Sequence, residues 1–393
     1  MRPDVTEPTY LVEVSETRRL TPITYDRNVF HIEFSTKGTG LKYEIGEALG
    51  VYGWNDEGSV RAFLLEWGWD GEQLVSFPSS TDPSIIEQRT LFQLLQQNLD
   101  IFGKPPKSFY EALSKVAPTR EEKRKARFIA SPEGNNIFKK WADVDTVTYA
   151  TVLRAFPGAT KALGVHGLIS EVEGVKPRHY SIASSQRAVG DSVHLLVVAV
   201  DWDVEGEKRY GQCTRYLSEL KVGDKVLVSV KPSVMKLPPS DKQPIIMAGL
   251  GTGAAPFRAF LQERAVQRDE GKEVGDLVYY FGSRNRSKEY LYGEEIEAYV
   301  SEGLLTRAGL AFSRDQPQKV YIQNKMREDS DYLGDLLSDE KNGVFYLCGP
   351  TWPVPDVYEA LCDALIGKGK TLDQAKKYIE DMKEDERYVL EVY

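Results

Sequence analysis

The run Pro244-Ile245-Ile246-Met247-Ala248 leads straight into Gly249-Leu250-Gly251-Thr252-Gly253-Ala254-Ala255-Pro256 and then into a helical pattern from Phe257 to Arg268. An apolar strand, a glycine loop and a helix in that order confine the chain to strand-turn-helix units of a parallel sheet. Three glycines let the backbone approach a ligand closely. The first helical turn offers N–H groups without intrahelical partners at the positive end of the helix dipole. A glycine cluster alone serves a tight turn equally well, but its place between strand and helix suits a dinucleotide pyrophosphate.

The pattern around this unit repeats it. After the Pro-bearing link Lys236-Leu237-Pro238-Pro239-Ser240-Asp241, short apolar runs at 245–248, 277–281, 309–312, 344–348 and 388–392 alternate with helical stretches. Such alternation predicts a parallel, doubly wound α/β domain over 237–393. Its second strand ends in Phe281-Gly282-Ser283-Arg284, where an NAD site would place an acid for the ribose 2′-hydroxyl. Arg284 stands there instead, and the next strand end supplies Ser313, Arg314, Lys319, Tyr321 and Gln323. Guanidinium, ammonium and hydroxyl groups suit the 2′-phosphate of NADPH, together with Gly251, Thr252 and Gly253 at the pyrophosphate.

Upstream the text is of another kind. Tyr10-Leu11-Val12-Glu13-Val14, Val29-Phe30-His31-Ile32-Glu33-Phe34 and Ala48-Leu49-Gly50-Val51-Tyr52 read as strands of an antiparallel sheet. From about residue 59 to 150 the period lengthens to that of helices, and strand patterning resumes near Gly164. The expectation is a discontinuous antiparallel β-barrel over 1–58 and 151–236, interrupted by a helical insertion over 59–150. The run Arg120-Glu121-Glu122-Lys123-Arg124-Lys125 balances its signs, reads as a solvated helix face and is assigned no function.

Bulk properties exclude several classes of function. The 393 residues can bury large cofactors in two or three domains. Lys and Arg number 50 against 59 Asp and Glu, a net charge of −9 that disfavours nucleic acid as a partner. No apolar run approaches the ~20 residues of a membrane span. The opening Met1-Arg2-Pro3-Asp4-Val5-Thr6-Glu7 lacks the apolar core of a leader, so a cytoplasmic location is expected. Cys213, Cys348 and Cys362 have no ligand spacing, and no metal is expected. His166, His179 and His194 lie in strand-like text without paired carboxylates and are not assigned as bases.

Two further motifs carry chemistry. Arg178-His179-Tyr180-Ser181-Ile182-Ala183-Ser184-Ser185 brings together a guanidinium, an aromatic ring and hydroxyls, the groups that meet a phosphate, cover a flat ring and hydrogen-bond a redox-active nitrogen. Gly211-Gln212-Cys213-Thr214 precedes a helical run and offers a second pyrophosphate cradle. These motifs, with the glycine loop, Ser313-Arg314, Lys319-Val320-Tyr321-Ile322-Gln323, Tyr346-Leu347-Cys348-Gly349 and the aromatic end at Tyr393, stand in the order found in the ferredoxin–NADP reductase family. The chain resembles in particular the FAD/NADPH module of diflavin reductases. Its ending, Arg387-Tyr388-Val389-Leu390-Glu391-Val392-Tyr393, is most similar to the flavoprotein subunits of assimilatory NADPH–sulfite reductases.

The resemblance implies FAD and NADPH as cofactors and a role for each matching residue. Arg178 would neutralise the FAD pyrophosphate, Tyr180 stack on the isoalloxazine and Ser181 hydrogen-bond near flavin N5. Ser184, Gly211, Gln212, Cys213 and Thr214 would complete the FAD site beside Trp202. Cys348 would lie near nicotinamide C4, Glu391 would stabilise charge developing there, and Tyr393 would cover the flavin face that the nicotinamide must reach. Two positions depart from the family pattern: Pro350 follows Cys348-Gly349 where an acid is common, and Arg215 follows Thr214 where a smaller polar residue is common. No flavodoxin-like FMN domain precedes the module in this sequence, so electrons are expected to pass to an FMN-binding domain or flavodoxin-like partner and on to a sulfite reductase hemoprotein. The alternatives are a reductase feeding another acceptor, of cytochrome reductase or methionine synthase reductase type, or a module that binds NADPH without turnover.

Overall fold

The computed structural model describes residues 5–79 and 81–393; the first four residues, on which part of the leader reading rests, lie outside it. Its strands in chain order are β1 (Tyr10–Arg19), β2 (Val29–Ser35), β3 (Ala48–Val51), β4 (Leu74–Pro78), β5 (Ile86–Thr90), β6 (Arg178–Ser181), β7 (Ser192–Val198), β8 (Asp201–Val204), β9 (Glu207–Tyr210), β10 (Lys225–Lys231), β11 (Ile245–Leu250), β12 (Leu277–Ser283), β13 (Arg307–Phe312), β14 (Val344–Gly349) and β15 (Tyr388–Val392). The chain divides into two compact units. One is built from Val51–Arg178 and Val200–Glu219 with residues 5–9, the other from Tyr10–Gly50, His179–Ala199 and Leu220–Tyr393.

The first unit is mainly helical. Its helices begin where an oxygen-bearing side chain can accept an otherwise unpaired N–H: Asp56 caps Glu57–Trp67, Thr90 caps Leu91–Gln97 in a reciprocal box with Gln93, and Thr119 caps Arg120–Ala130. Their apolar faces meet in one core containing Phe63, Leu94, Phe109, Tyr149 and Leu168. Two hairpins belong to this unit as well, β4–β5 between its first two helices and β8–β9 after the last of those before β6. The resumption of strand near Gly164 is corrected here: Pro157–Glu171 is helical, with Gly164 at φ 62° breaking its course. Pro157 in the first turn and buried Ala159 and Leu168 drive the helix, so His166 is helical too.

The second unit carries both large sheets. Six strands run in the order β6-β3-β10-β1-β2-β7. A bridge between Ile182 and Leu195 ties the two ends of that order together and closes an antiparallel barrel. The second sheet, β13-β12-β11-β14-β15, is parallel throughout. Its central strands are buried at almost every position because both faces are covered. Ile245, Met247, Leu277, Tyr279 and Tyr346 enter one core, with Phe257 and Phe260 from the helix Ala255–Asp269. Ile246, Ala248, Val278, Tyr280 and Phe345 enter the other, with Leu361 and Ile379 from the helices Val354–Gly367 and Leu372–Glu384.

The same first core takes in Val29, Ala183 and Leu196 of the barrel, so barrel and parallel sheet are packed as one body. Arg258 reinforces the join, donating to the Ala183 carbonyl at 2.8 Å while pairing with Glu295 at 2.8 Å. Among the described residues no helix is long and apolar enough to cross a membrane.

Candidate active site

The parallel sheet runs outward from β11 to β13 and then returns to β14 on the other side of β11. Loops leaving β11 and β14 therefore diverge at a topological switch point, where open α/β sheets bind their ligands. The glycine loop leaves β11 there, as a single 3₁₀ turn over Gly251–Ala254 that opens the helix Ala255–Asp269. Neither start has a side-chain cap, so no side chain competes for those N–H groups. Gly253 lies against the backbone of β14: a Cβ there would stand 2.0 Å from the Cys348 carbonyl oxygen. Gly251 adopts φ 55°, the left-handed region that glycine enters freely. These features fit a dinucleotide pyrophosphate.

At the end of β14 the register sets Cys348 beside Glu391 of β15. Cys348 Sγ is 3.9 Å from Glu391 Oε2, which also accepts the Ser181 hydroxyl at 2.8 Å. The other carboxylate oxygen, Oε1, accepts the hydroxyl of Ser233 at 2.8 Å. Three residues from three other chain segments thus converge on one carboxylate. Burial, and after it the adjacent Glu391 charge, push the Cys348 thiol well above its ordinary range. It is a neutral thiol at physiological pH and no nucleophile. Tyr393 follows directly, its N–H donating to the Gly349 carbonyl at 3.1 Å and its hydroxyl 2.9 Å from that of Thr252 in the glycine loop.

The residues expected at the 2′-phosphate divide by exposure. Arg314 and Lys319 are exposed, Arg284, Ser313 and Tyr321 half-buried. Neighbouring strand ends are laced together by the Arg314 N–H on the Arg284 carbonyl at 2.8 Å and the Ser313 N–H on the Ser283 carbonyl at 3.0 Å. Tyr321 starts the helix Ile322–Glu328 and packs edge-on against Trp352, with ring centroids 5.4 Å apart. Gln323 is buried and donates to Asp356 at 3.0 Å, so its amide faces the interior.

On the barrel, Tyr180 and Ser181 are half-buried in β6. Ser184 is fully buried, its hydroxyl 2.8 Å from that of Tyr43 and accepting the His194 N–H at 3.0 Å. His194 has a carboxylate neighbour after all: its Nε2 is 3.5 Å from Glu33, which His31 approaches at 2.9 Å. Burial holds both imidazoles down to about 4.

The first unit contains a cavity of about 780 Å³ lined by Trp54, Thr146, Trp202, Tyr210, Gln212 and Arg215 among others. Trp202 Nε1 donates to Thr146 at 3.4 Å. At the start of the helix Gln212–Glu219, Gln212 donates to the Gly53 carbonyl at 2.8 Å, and Thr214 Oγ1 accepts the Val200 N–H at 3.1 Å. Cys213 is buried against the Val51 carbonyl. These side chains anchor the loop, and the Gly211 N–H is committed as well, donating to the Val200 carbonyl at 2.8 Å. Arg178 is exposed, close enough to lower the pKa of half-buried Asp100 against the larger upward push of burial. Arg215, left unassigned from sequence, pairs with Asp56 at 3.1 Å and lies over the Tyr210 ring at 4.9 Å. Aromatic rings and cations lining one cavity fit a flat ring system that carries phosphate.

Sequence reading missed Ser233 and the cavity aromatics Trp54 and Tyr210. No spacing points to Ser233, whose partner is 158 positions away.

Residues 2–216 match the family model described as FAD binding domain, and residues 247–354 the one described as oxidoreductase NAD-binding domain. The whole chain is 49% identical to the sulfite reductase (NADPH) flavoprotein component of Saccharomyces cerevisiae and 51% identical to the probable sulfite reductase (NADPH) flavoprotein component of Schizosaccharomyces pombe. It spans 38% and 39% of those proteins' lengths. Over 98% of the chain it is 33% identical to mitochondrial pyruvate dehydrogenase (NADP+) of Euglena gracilis, of which it covers 21%.

Proposed function

We propose, for a chain that belongs to the FAD-binding domain family, that it is the module of a flavoprotein reductase that takes hydride from NADPH to FAD and passes electrons onward. FAD supplies the switch from hydride acceptance to one-electron release, and everything else is positioning and electrostatics by the chain's own side chains. The observation that carries this reading is the convergence of Ser181, Cys348 and Glu391, hydroxyl, neutral thiol and carboxylate, beside a glycine loop at the switch point. A module that only bound NADPH would need the loop and not this constellation.

In this reading Ser181 would stand near flavin N5 with its hydroxyl on Glu391, and the small, neutral Cys348 would leave room for the nicotinamide. Glu391 faces the positive charge that develops on that ring as hydride leaves. Tyr393 fills the nicotinamide place until NADPH arrives. Arg178, Tyr180, Ser184, Trp202 and residues 211–214 serve the FAD. Gly251, Thr252 and Gly253 take the NADPH pyrophosphate, and Arg284, Ser313, Arg314, Lys319, Tyr321 and Gln323 form the 2′-phosphate end. We assign 1–58 and 151–236 to the FAD-binding part, 59–150 to a connecting insertion and 237–393 to NADPH.

The proposed acceptor is an FMN-binding domain or flavodoxin-like partner, with a hemoprotein reducing sulfite to sulfide beyond it, in the cytoplasm. Identities of 49% and 51% to two sulfite reductase components, against 33% to a pyruvate dehydrogenase, favour this acceptor over others. Anaerobic titration of the FAD-loaded chain with NADPH tests the core of the reading. One equivalent should bleach the flavin absorbance; a colourless protein, or a bound flavin that NADPH leaves oxidised, overturns it.

A further inference from the structure

We propose that Ser233 is a positioning residue that holds the Glu391 carboxylate in place for hydride transfer; the inference rests on the role given to Glu391 above. Ser233 lies between β10 and β11, outside every motif of the sequence. Its hydroxyl donates to Oε1 at 2.8 Å while Ser181 donates to Oε2 at 2.8 Å. The last torsion of a glutamate side chain is broad and two-fold, so one hydrogen bond leaves it free to swing. A donor on each oxygen, from two different segments, fixes the carboxylate plane.

The orientation of Ser233 is itself determined. Its oxygen accepts the Met235 N–H at 3.2 Å, which leaves the hydroxyl proton for Glu391. The segment cannot shift easily, because Met235 is fully buried and its carbonyl fills the space beside Gly46. A Cβ at Gly46 would lie 1.3 Å from that carbonyl oxygen. A charge acts on a transition state through where it stands, so a carboxylate fixed in advance costs no reorganisation during the reaction. Ser233 therefore contributes orientation while Glu391 contributes charge.

The test compares Ser233→Ala and Ser233→Thr with the parent chain, each loaded with FAD and mixed anaerobically with NADPH in single turnover. Loss of one hydrogen bond to a charged group should slow hydride transfer in the alanine variant by roughly ten-fold, with NADP+ affinity unchanged. The threonine variant, which keeps the hydroxyl, should recover most of that loss. A readout independent of turnover is a crystal structure of flavin-free Ser233→Ala, in which the Glu391 carboxylate should have rotated off the Ser181 hydroxyl. Ser233→Cys, of similar volume with a weak donor, replaces the alanine variant if that does not fold. Wild-type transfer rates, equal slowing by alanine and threonine, or an unmoved Glu391 would each overturn the proposal. A parent chain whose flavin NADPH does not reduce sinks the proposed function instead, and the flavin-free structure then still decides whether Ser233 orients Glu391.

Discussion

Tyr393 has its hydroxyl on Thr252 and its backbone tied to Gly349, two points on the loops leaving β11 and β14. A ring held by one hydroxyl contact and one backbone bond can be displaced by a ligand that takes over Thr252. Replacing it by serine removes the ring without touching the residues proposed for the 2′-phosphate. The ratio of kcat/KM for NADH to that for NADPH should rise by roughly ten-fold or more, since easier binding raises kcat/KM only up to the encounter limit, which the tighter ligand NADPH reaches first. An unchanged ratio with unchanged flavin reduction removes the gating role. Residue types were legible here from the sequence: Ser181, Cys348 and Glu391 stand in recognisable motifs. Burial was not: Ser184 is fully buried with its hydroxyl against Tyr43 and His194, and Gln323 is buried with its amide nitrogen on Asp356.

At the scale of elements, the strand-loop-helix unit at Gly249–Gly253 was readable because its apolar run, glycines and helix start are contiguous. What it packs against was not. Gly253→Ala would put a methyl into the Cys348 carbonyl, forcing β11 and β14 loops apart. Overpacking of this kind costs about 1–3 kcal/mol, and NADP+ binding should fall with it. Denaturant unfolding and NADP+ titration of the variant check both; wild-type values in both would show that the close approach is unimportant.

The barrel strands β2 and β7 bring His31 and His194 together around Glu33, with Tyr292, Arg258, Arg18, Glu16 and Glu295 in their field. Unfolded histidines protonate near 6.5, but burial keeps these two neutral down to about 4. Between those values the unfolded state binds more protons, so stability falls as pH drops through the window and levels off below it. Urea midpoints at pH 7, 5.5 and 4.5 should decline in the parent and decline less in His194→Gln; parallel declines would place the acid sensitivity elsewhere.

Across the whole molecule, the described chain holds one unit with helices around a single core and another in which barrel and parallel sheet share a core. If electron release needs a separate FMN-binding partner, the FAD-loaded chain with NADPH should reduce ferricyanide, a one-electron acceptor needing no docking surface, at steady rates. Sulfite should be consumed only after an FMN-binding domain and a hemoprotein are added. Sulfite consumption by the chain alone would contradict the proposed division of labour. By itself the sequence determined the parallel α/β half, the antiparallel strands before the helical stretch, the dinucleotide loops and the order of the motifs, because each is written in neighbouring residues whose periodicity and backbone demands are local. Only the tertiary structure decided that Pro157–Glu171 is a helix, that the switch point puts Gly253 against Cys348, and that Ser181 and Ser233 meet on Glu391 from 210 and 158 positions away. Those contacts come from strand order and packing, and no local pattern records which distant segments a closed barrel and a parallel sheet will bring together.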